Sequence, residues 1–205
     1  MVLLRDILAD IPLVKLIGTS DIPIAEITAD SRQVRPGSLF FALRGLHTDG
    51  HQFIEQAVAQ GAVAVVCEEI PEHPSPHISY VTVSDSALAC GIMAGHFFGD
   101  PSKHMQVVGV TGTNGKTTVV TLLYQLFSRL GFRTGLISTV QNIIVDKPEP
   151  ATHTTPDAIQ LHRLLARMHQ QGCYTCIHGG QFACHPSEAH CRRALHRRYF
   201  HQYHP

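Results

Sequence analysis

The stretch "MQVVGVTGTNGKTTVVTLLYQLFSRLGFRTGLIS", Met105 to Ser138, constrains the fold more than any other part of the chain. Val107 to Val110 is an apolar run of strand length. Lys116 to Leu130 then carries Val119, Leu122, Leu123, Leu126 and Phe127 at helical spacing. Gly131 marks the helix stop, and "TGLIS" supplies a second strand. Strand, helix and strand in that order predict a parallel sheet with a right-handed crossover, and so an α/β fold. Between the first strand and the helix lies "GVTGTNGKTT". Glycines there let the backbone wrap a polyphosphate while amides at the helix N-terminus converge on it. A lysine for the β- and γ-phosphates and a hydroxyl for Mg²⁺ complete the requirement. Gly112, Thr113, Asn114, Gly115, Lys116, Thr117 and Thr118 are therefore the candidate nucleotide-binding residues. Lys116 is the candidate catalytic residue and Thr117 the candidate Mg²⁺ ligand. The strict pattern places a glycine six residues before the lysine, where this chain has Val110. The loop predicts ATP or a related nucleotide with Mg²⁺; it does not by itself specify a reaction.

The remainder is of ordinary globular composition, 44% hydrophobic and 16% charged. Sixteen basic residues balance sixteen acidic ones, so no net field favours nucleic acid. No apolar run reaches the roughly 20 residues that span a bilayer, and a cytoplasmic, monomeric protein is expected. Leu3, Leu4, Ile7, Leu8 and Ile11 have the spacing of an amphipathic N-terminal helix. Pro36-Gly37 predicts a turn leading into a strand over residues 38–43. A helix over 51–60 follows, stopped by Gly61, and then a buried strand over 62–66. Asp85 is placed to cap a helix running towards Phe97, and a last helix is predicted over 157–170 with Leu161, Leu164, Leu165 and Met168 on one face. Cys67 and Cys90 sit in apolar company and read as buried, reduced thiols.

Several segments together resemble the Mur ligase family: "TGTNGKTT", "DSRQVRPGSLFFALRG" followed by "DGHQFIEQAVAQGA", and "STVQN" followed by "THTTPD". The last pair points to the branch of the MurE type, which adds the third residue of the peptidoglycan stem. The dipeptide-adding branch shares only the first block. The resemblance implies a UDP-muramoyl substrate domain over about residues 1–100, an ATP-binding P-loop domain over 101–173, incomplete in this chain, and no C-terminal ligase domain. It places Ser31 and Arg32 at the UDP end, with the turn from Gly45 to Gly50 near the uracil. Thr154 and Thr155 would contact the muramoyl dipeptide. The implied reaction activates the substrate carboxylate with ATP and joins it to the amine of diaminopimelate or lysine. A non-catalytic module that binds the UDP-muramoyl peptide is the alternative from another class.

Residues 174–205 depart from that pattern. The family continues after "GC" into a strand reading much like "MEVSSHA", whose glutamate holds Mg²⁺. This chain instead has four of its six cysteines and six of its fifteen histidines between Gln171 and Pro205. Read from the second base of the His178 codon, permitted codons give "MEVSSHA" and continue without a stop. An out-of-frame peptide with no site of its own is the expectation, produced by one extra base between the codons of Cys173 and His178, and ligation by the 205-residue chain is not expected. Two other readings compete. Cys173-x-x-Cys176 with Cys184 and Cys191 mimics a zinc set of irregular spacing, and the pairs Arg192-Arg193 and Arg197-Arg198 mimic an RNA-binding tail.

Overall fold

The computed structural model describes residues 1–45, 48–112, 114–145, 147–150, 157–179 and 197–201. The chain divides into two compact units, Met1–Phe97 and Phe98–Pro205.

The first unit begins with strand β1 (Val2–Leu3), a single helical turn α1 (Leu4–Ile7) and strand β2 (Leu13–Ile17). Leu4, Ile7, Leu8 and Ile11 are buried, as their spacing requires. The helix nevertheless stops after one turn, correcting the longer N-terminal helix predicted from that spacing. Asp10 adopts a positive φ of 59°, and Pro12 disfavours helical geometry at Ile11. Strands β3 (Pro23–Ile24) and β4 (Glu26–Thr28) follow, then a 3₁₀ turn (Ser31–Gln33) and β5 (Ser38–Phe41). A second 3₁₀ turn (Gly50–Phe53) leads into α2 (Ile54–Ala59), β6 (Ala62–Cys67), β7 (Ser79–Val83) and α3 (Ser86–Phe97). The sheet runs β2-β7-β6-β5-β4; β4 to β7 are mutually parallel and β2 is antiparallel at the edge. Phe40, Val65 and Tyr80 come from its three central strands and pack with Ile54 and Ala57 of α2. Cys67 and Cys90 are buried outside any disulfide, and burial pushes the Cys67 thiol up to about 11. The Asp85 carboxylate accepts from the Leu88 amide at 2.8 Å and caps α3 as its position predicts.

The second unit contains α4 (Pro101–His104), β8 (Gln106–Thr111), α5 (Lys116–Arg129), β9 (Thr134–Ile137), β10 (Gln141–Ile144), β11 (Lys147–Pro150), α6 (Ala158–Gln170), β12 (Thr175–Gly179) and β13 (Arg197–His201). Its sheet order is β11-β10-β9-β12-β8-β13. Strand β12 lies between β8 and β9 and is parallel to both: Ile177 faces Val108 on one side and Leu136 on the other. The crossover from β8 to β9 thus skips the place that β12 later fills. Residues 197–201 of the tail pair in parallel with β8 from Val107 to Thr111.

Helix α5 buries Val120 and Tyr124, with Val119, Leu123 and Phe127 packed partly against the same cluster. Leu122 and Leu126, apolar residues of the same helical spacing, are more than half exposed. The apolar arc on α5 is wider than the strip the sheet covers, and Leu130 continues the exposed row. Helix α6 behaves as predicted: Leu161, Leu165 and Met168 are buried, and the Asp157 carboxylate caps it by accepting from the Gln160 amide at 2.7 Å. At the end of β12, a Cβ on Gly179 would lie 2.8 Å from a Val120 methyl, so helix and strand meet at the closest spacing a glycine permits. Among the described residues no helix is long and apolar enough to cross a membrane.

Two glycines give opposite expectations. Gly61 has φ +101° and a Cβ there would meet Pro36 Cα at 2.9 Å, whereas Gly91 lies within α3 and a Cβ there meets nothing within 4 Å. Urea unfolding should show Gly61→Ala destabilised by more than about 1 kcal/mol and Gly91→Ala stabilised by about 0.5–1 kcal/mol.

Candidate functional site

In parallel α/β sheets the loops beyond the strands' carboxyl ends gather on one edge, and ligands bind there. Each unit places its described candidate residues on that edge of its own sheet.

In the first unit the 3₁₀ turn after β4 carries Ser31 and Arg32, Arg44, Gly45 and residues 48–50 follow β5, and Glu68 and Glu69 follow β6. Ser31 is buried and its hydroxyl donates to Gln56 Oε1 of α2 at 3.1 Å. Gln56 thereby fixes the Ser31 turn, a role that no local sequence signal announces across 25 residues. The Arg32 guanidinium is mostly exposed and clamps Asp30, with Nε to Oδ1 and Nη2 to Oδ2 both at 2.9 Å. Asp30 also accepts from the Arg32 amide at 3.0 Å and from Gln33 Nε2 at 3.2 Å. The Arg32 side-chain bonds are the main reason that the Asp30 carboxyl falls to about 2. The turn after β5 closes through the Gly45 amide to the Thr48 carbonyl at 3.0 Å and the Gly50 amide to the Leu43 carbonyl at 2.8 Å.

In the second unit β8 delivers the Gly-rich loop. Gly112 (φ 150°) and Gly115 (φ 76°) take the conformations that glycine favours, and α5 starts at Lys116 with no side-chain cap on its amides. That combination suits an anion, since uncapped amides and the helix dipole point the same way. The Lys116 ammonium folds over the loop and donates to the Gly112 carbonyl. Thr117 Oγ1 lies 3.4 Å from Thr139 Oγ1, beyond the end of β9. Thr139 is thus a second hydroxyl beside the candidate metal ligand, contributed by the "STVQN" segment but given no role from sequence. Asn114 and Thr118 flank this arrangement in the loop and in the first turn of α5. Thr113, Thr154 and Thr155 lie outside the described residues. Gly179 ends β12 opposite Val110, the strand that feeds the loop. Cys173 and Cys176 are buried thiols outside any disulfide, with the Cys176 thiol pushed up by burial, while Cys184 and Cys191 lie outside the described residues. Among the described residues no three His, Cys, Asp or Glu side chains gather as a metal set.

Two family profiles match the chain: the Mur ligase family catalytic domain over residues 23–98 and the Mur ligase middle domain over residues 110–178. The chain belongs to the Mur ligase family. Its UDP-N-acetylmuramoyl-L-alanyl-D-glutamate–2,6-diaminopimelate ligase relatives include that of Cytophaga hutchinsonii, 51% identical over 85% of this chain and 36% of the relative. The ligase of the same name from Bacteroides fragilis is 51% identical over 83% of this chain and 35% of the relative. The chain therefore spans about a third of the length of the curated relatives it matches. A solved structure of a ligase with that name superposes with a TM-score of 0.65 at 26% identity, over 86% of this chain and 35% of the other. The D-alanyl-D-alanyl-adding Mur ligase of Acinetobacter baumannii shares the fold, with a TM-score of 0.61 at 21% identity, over 95% of this chain and 40% of the other. The middle-domain match runs to His178, within strand β12.

The Asp30 clamp gives a signed expectation. Its depressed carboxyl stabilises the fold fully above the ordinary carboxylate value of 3.8, and that contribution is lost as pH falls through about 2. Asp30→Asn should be less stable than the wild type at neutral pH. The gap should close as the solution is acidified from about 4 towards about 2, read by thermal unfolding across that range.

Proposed function

We propose that the chain is the substrate- and nucleotide-binding portion of an ATP-dependent amide ligase. The ligase adds diaminopimelate or lysine to UDP-N-acetylmuramoyl-L-alanyl-D-glutamate in the cytoplasm. The Gly-rich loop between β8 and α5, in a chain about half identical to ligases of that name, carries this reading. Bound ATP with Mg²⁺ supplies the phosphoryl group that activates the substrate carboxylate for attack by the incoming amine.

The residues of this chain provide positioning and charge. The left-handed Gly115 and the uncapped first turn of α5 turn backbone amides towards phosphate oxygens. Lys116 exchanges its Gly112 carbonyl for those oxygens and neutralises their charge. The Thr117 hydroxyl takes the metal side, with Thr139 beside it. Ser31 and Arg32 serve the UDP end and Thr154 and Thr155 the muramoyl dipeptide. Arg32 offers a pyrophosphate the same bidentate face that it now turns to Asp30.

One position limits the chemistry. The glutamate of the shifted frame falls at Gly179, which ends β12 beside the loop strand and offers no carboxylate. We therefore read residues 174–205 as the out-of-frame part of the chain and the 205-residue product as a binder that does not ligate. The same observation favours the second reading, a non-catalytic module for the UDP-muramoyl peptide.

Isothermal titration with ATP and Mg²⁺ should show binding that Lys116→Ala weakens by about ten- to a hundredfold, the loss of one charge-assisted contact. Incubated with ATP, Mg²⁺, the UDP-dipeptide and diaminopimelate or lysine, the chain should form no amide product. Steady turnover by mass spectrometry would overturn the binder reading, and absence of ATP binding would overturn the nucleotide site itself.

A further inference from the structure

The turn that joins β9 to β10 is closed by one buried side chain. The Ser138 hydroxyl donates to the Gln141 carbonyl at 2.7 Å, and its oxygen accepts from the amides of Val140 at 3.3 Å and Gln141 at 3.1 Å. The Ser138 amide adds a bond to the same carbonyl at 3.2 Å. Both ends of the turn run straight into the sheet, where Ile137 pairs with Asn142 of β10 and with His178 of β12. Thr139 and Val140 occupy the middle. Val140 is exposed, whereas Thr139 is half-buried, with Oγ1 3.4 Å from Thr117 Oγ1 in the first turn of α5.

A threonine hydroxyl has one proton and two lone pairs. In the free chain either oxygen is able to donate across the Thr117–Thr139 contact. A bound cation removes that freedom. An oxygen that gives a lone pair to Mg²⁺ keeps its proton on the side away from the metal and donates it more strongly. That proton needs an acceptor, since groups that ligate metals are themselves oriented by hydrogen bonds. Thr139 Oγ1 is the oxygen set against the Thr117 hydroxyl, and it comes from a separate element whose backbone Ser138 has already fixed. Thr117 is held in turn by α5, where its carbonyl accepts from the Thr121 hydroxyl at 2.7 Å. A separation of 3.4 Å exceeds the usual ~2.7–2.8 Å of a hydroxyl pair, and contacts of this kind often tighten when the ligand is bound.

We infer that Thr139 is the positioning residue for the Thr117 hydroxyl, accepting its proton when the oxygen's lone pair goes to a nucleotide-bound Mg²⁺. The metal part rests on the proposed function; the turn and the contact between the two hydroxyls do not. Thr139 touches neither metal nor phosphate in this role. It acts on the direction of one hydroxyl, so its loss should weaken binding of ATP with Mg²⁺ and spare binding of ATP alone.

Isothermal titration on the full chain, with ATP in Mg²⁺ or in EDTA, separates this role from a structural one. Thr139→Val, which keeps the shape and removes the acceptor, should lower affinity for ATP with Mg²⁺ about three- to tenfold and leave affinity in EDTA unchanged. Thr139→Ser, which keeps the hydroxyl, should bind as the wild type does. With Thr117→Val already in place, Thr139→Val should cost nothing further, because the hydroxyl it orients is gone. Equal losses in Mg²⁺ and EDTA, full additivity with Thr117→Val, or no loss in Thr139→Val would each overturn the positioning role. Amide hydrogen exchange tests the turn apart from any ligand: Ser138→Ala should speed exchange at Val140 and Gln141, and unchanged exchange would overturn the closure by Ser138. A wild type that binds ATP equally well in Mg²⁺ and EDTA would overturn the metal role of Thr117 and this inference with it, while leaving the nucleotide site standing. A wild type that binds no ATP would overturn the proposed nucleotide site as well.

Discussion

The parallel pairing of β12 between β8 and β9 is the contact on which the second unit depends. Five consecutive residues, Thr175 to Gly179, are buried and bonded to β8, and Thr175 to His178 are bonded to β9 as well. Without that strand, β8 and β9 would share no hydrogen bonds, because the crossover through α5 leaves a gap one strand wide. The pairing sets the level at which β8 ends, and so where the loop from Gly112 to Lys116 meets the first turn of α5. It also brings the end of β9, with Thr139, beside Thr117. The geometry of the candidate nucleotide site therefore rests on a strand that contributes none of the candidate phosphate contacts.

The first unit solves the same problem with side chains as well as strands. Its parallel strands β4 to β7 bring successive loops to one edge, but the loops are then fastened by polar contacts of long sequence separation. Ser31 reaches Gln56, His51 reaches the amides of Glu68 and Glu69, and Glu68 reaches Ser86. Each uses a partly or wholly buried group whose bonding capacity would otherwise go unmet, so each holds its loop more firmly than an exposed ion pair does.

Local signals made much of this legible in the sequence. The strand, Gly-rich loop and helix after Met105 were readable because each is specified within a few residues, as were the Asp85 and Asp157 caps. The N-terminal helix was over-extended because the apolar spacing continues to Ile11, although the helical backbone ends before the left-handed Asp10. The hairpin of β10 and β11 was missed because "KPEP" looks like a loop; Pro148 and Pro150 are tolerated since, among the described residues, β11 is the outermost strand of its sheet. On α5 the periodicity showed a broad apolar arc but could not say which part the sheet would cover. Gln56, Thr139 and the bonding of His51 were hidden for a common reason: each gains its role from a partner 17 to 25 residues away.

The close seat of Val120 over Gly179 has a mechanical consequence. With hydrogen as the side chain, α5 rests directly on the end of β12. Any larger residue at that point would act as a wedge, lifting the first turns of the very helix whose uncapped amides form the candidate phosphate site. A carboxylate introduced there would alter two things together, the charge beside the loop and the height of α5 above the sheet. Residue 179 is therefore a lever on the candidate nucleotide site through its volume alone, before any question of its charge arises.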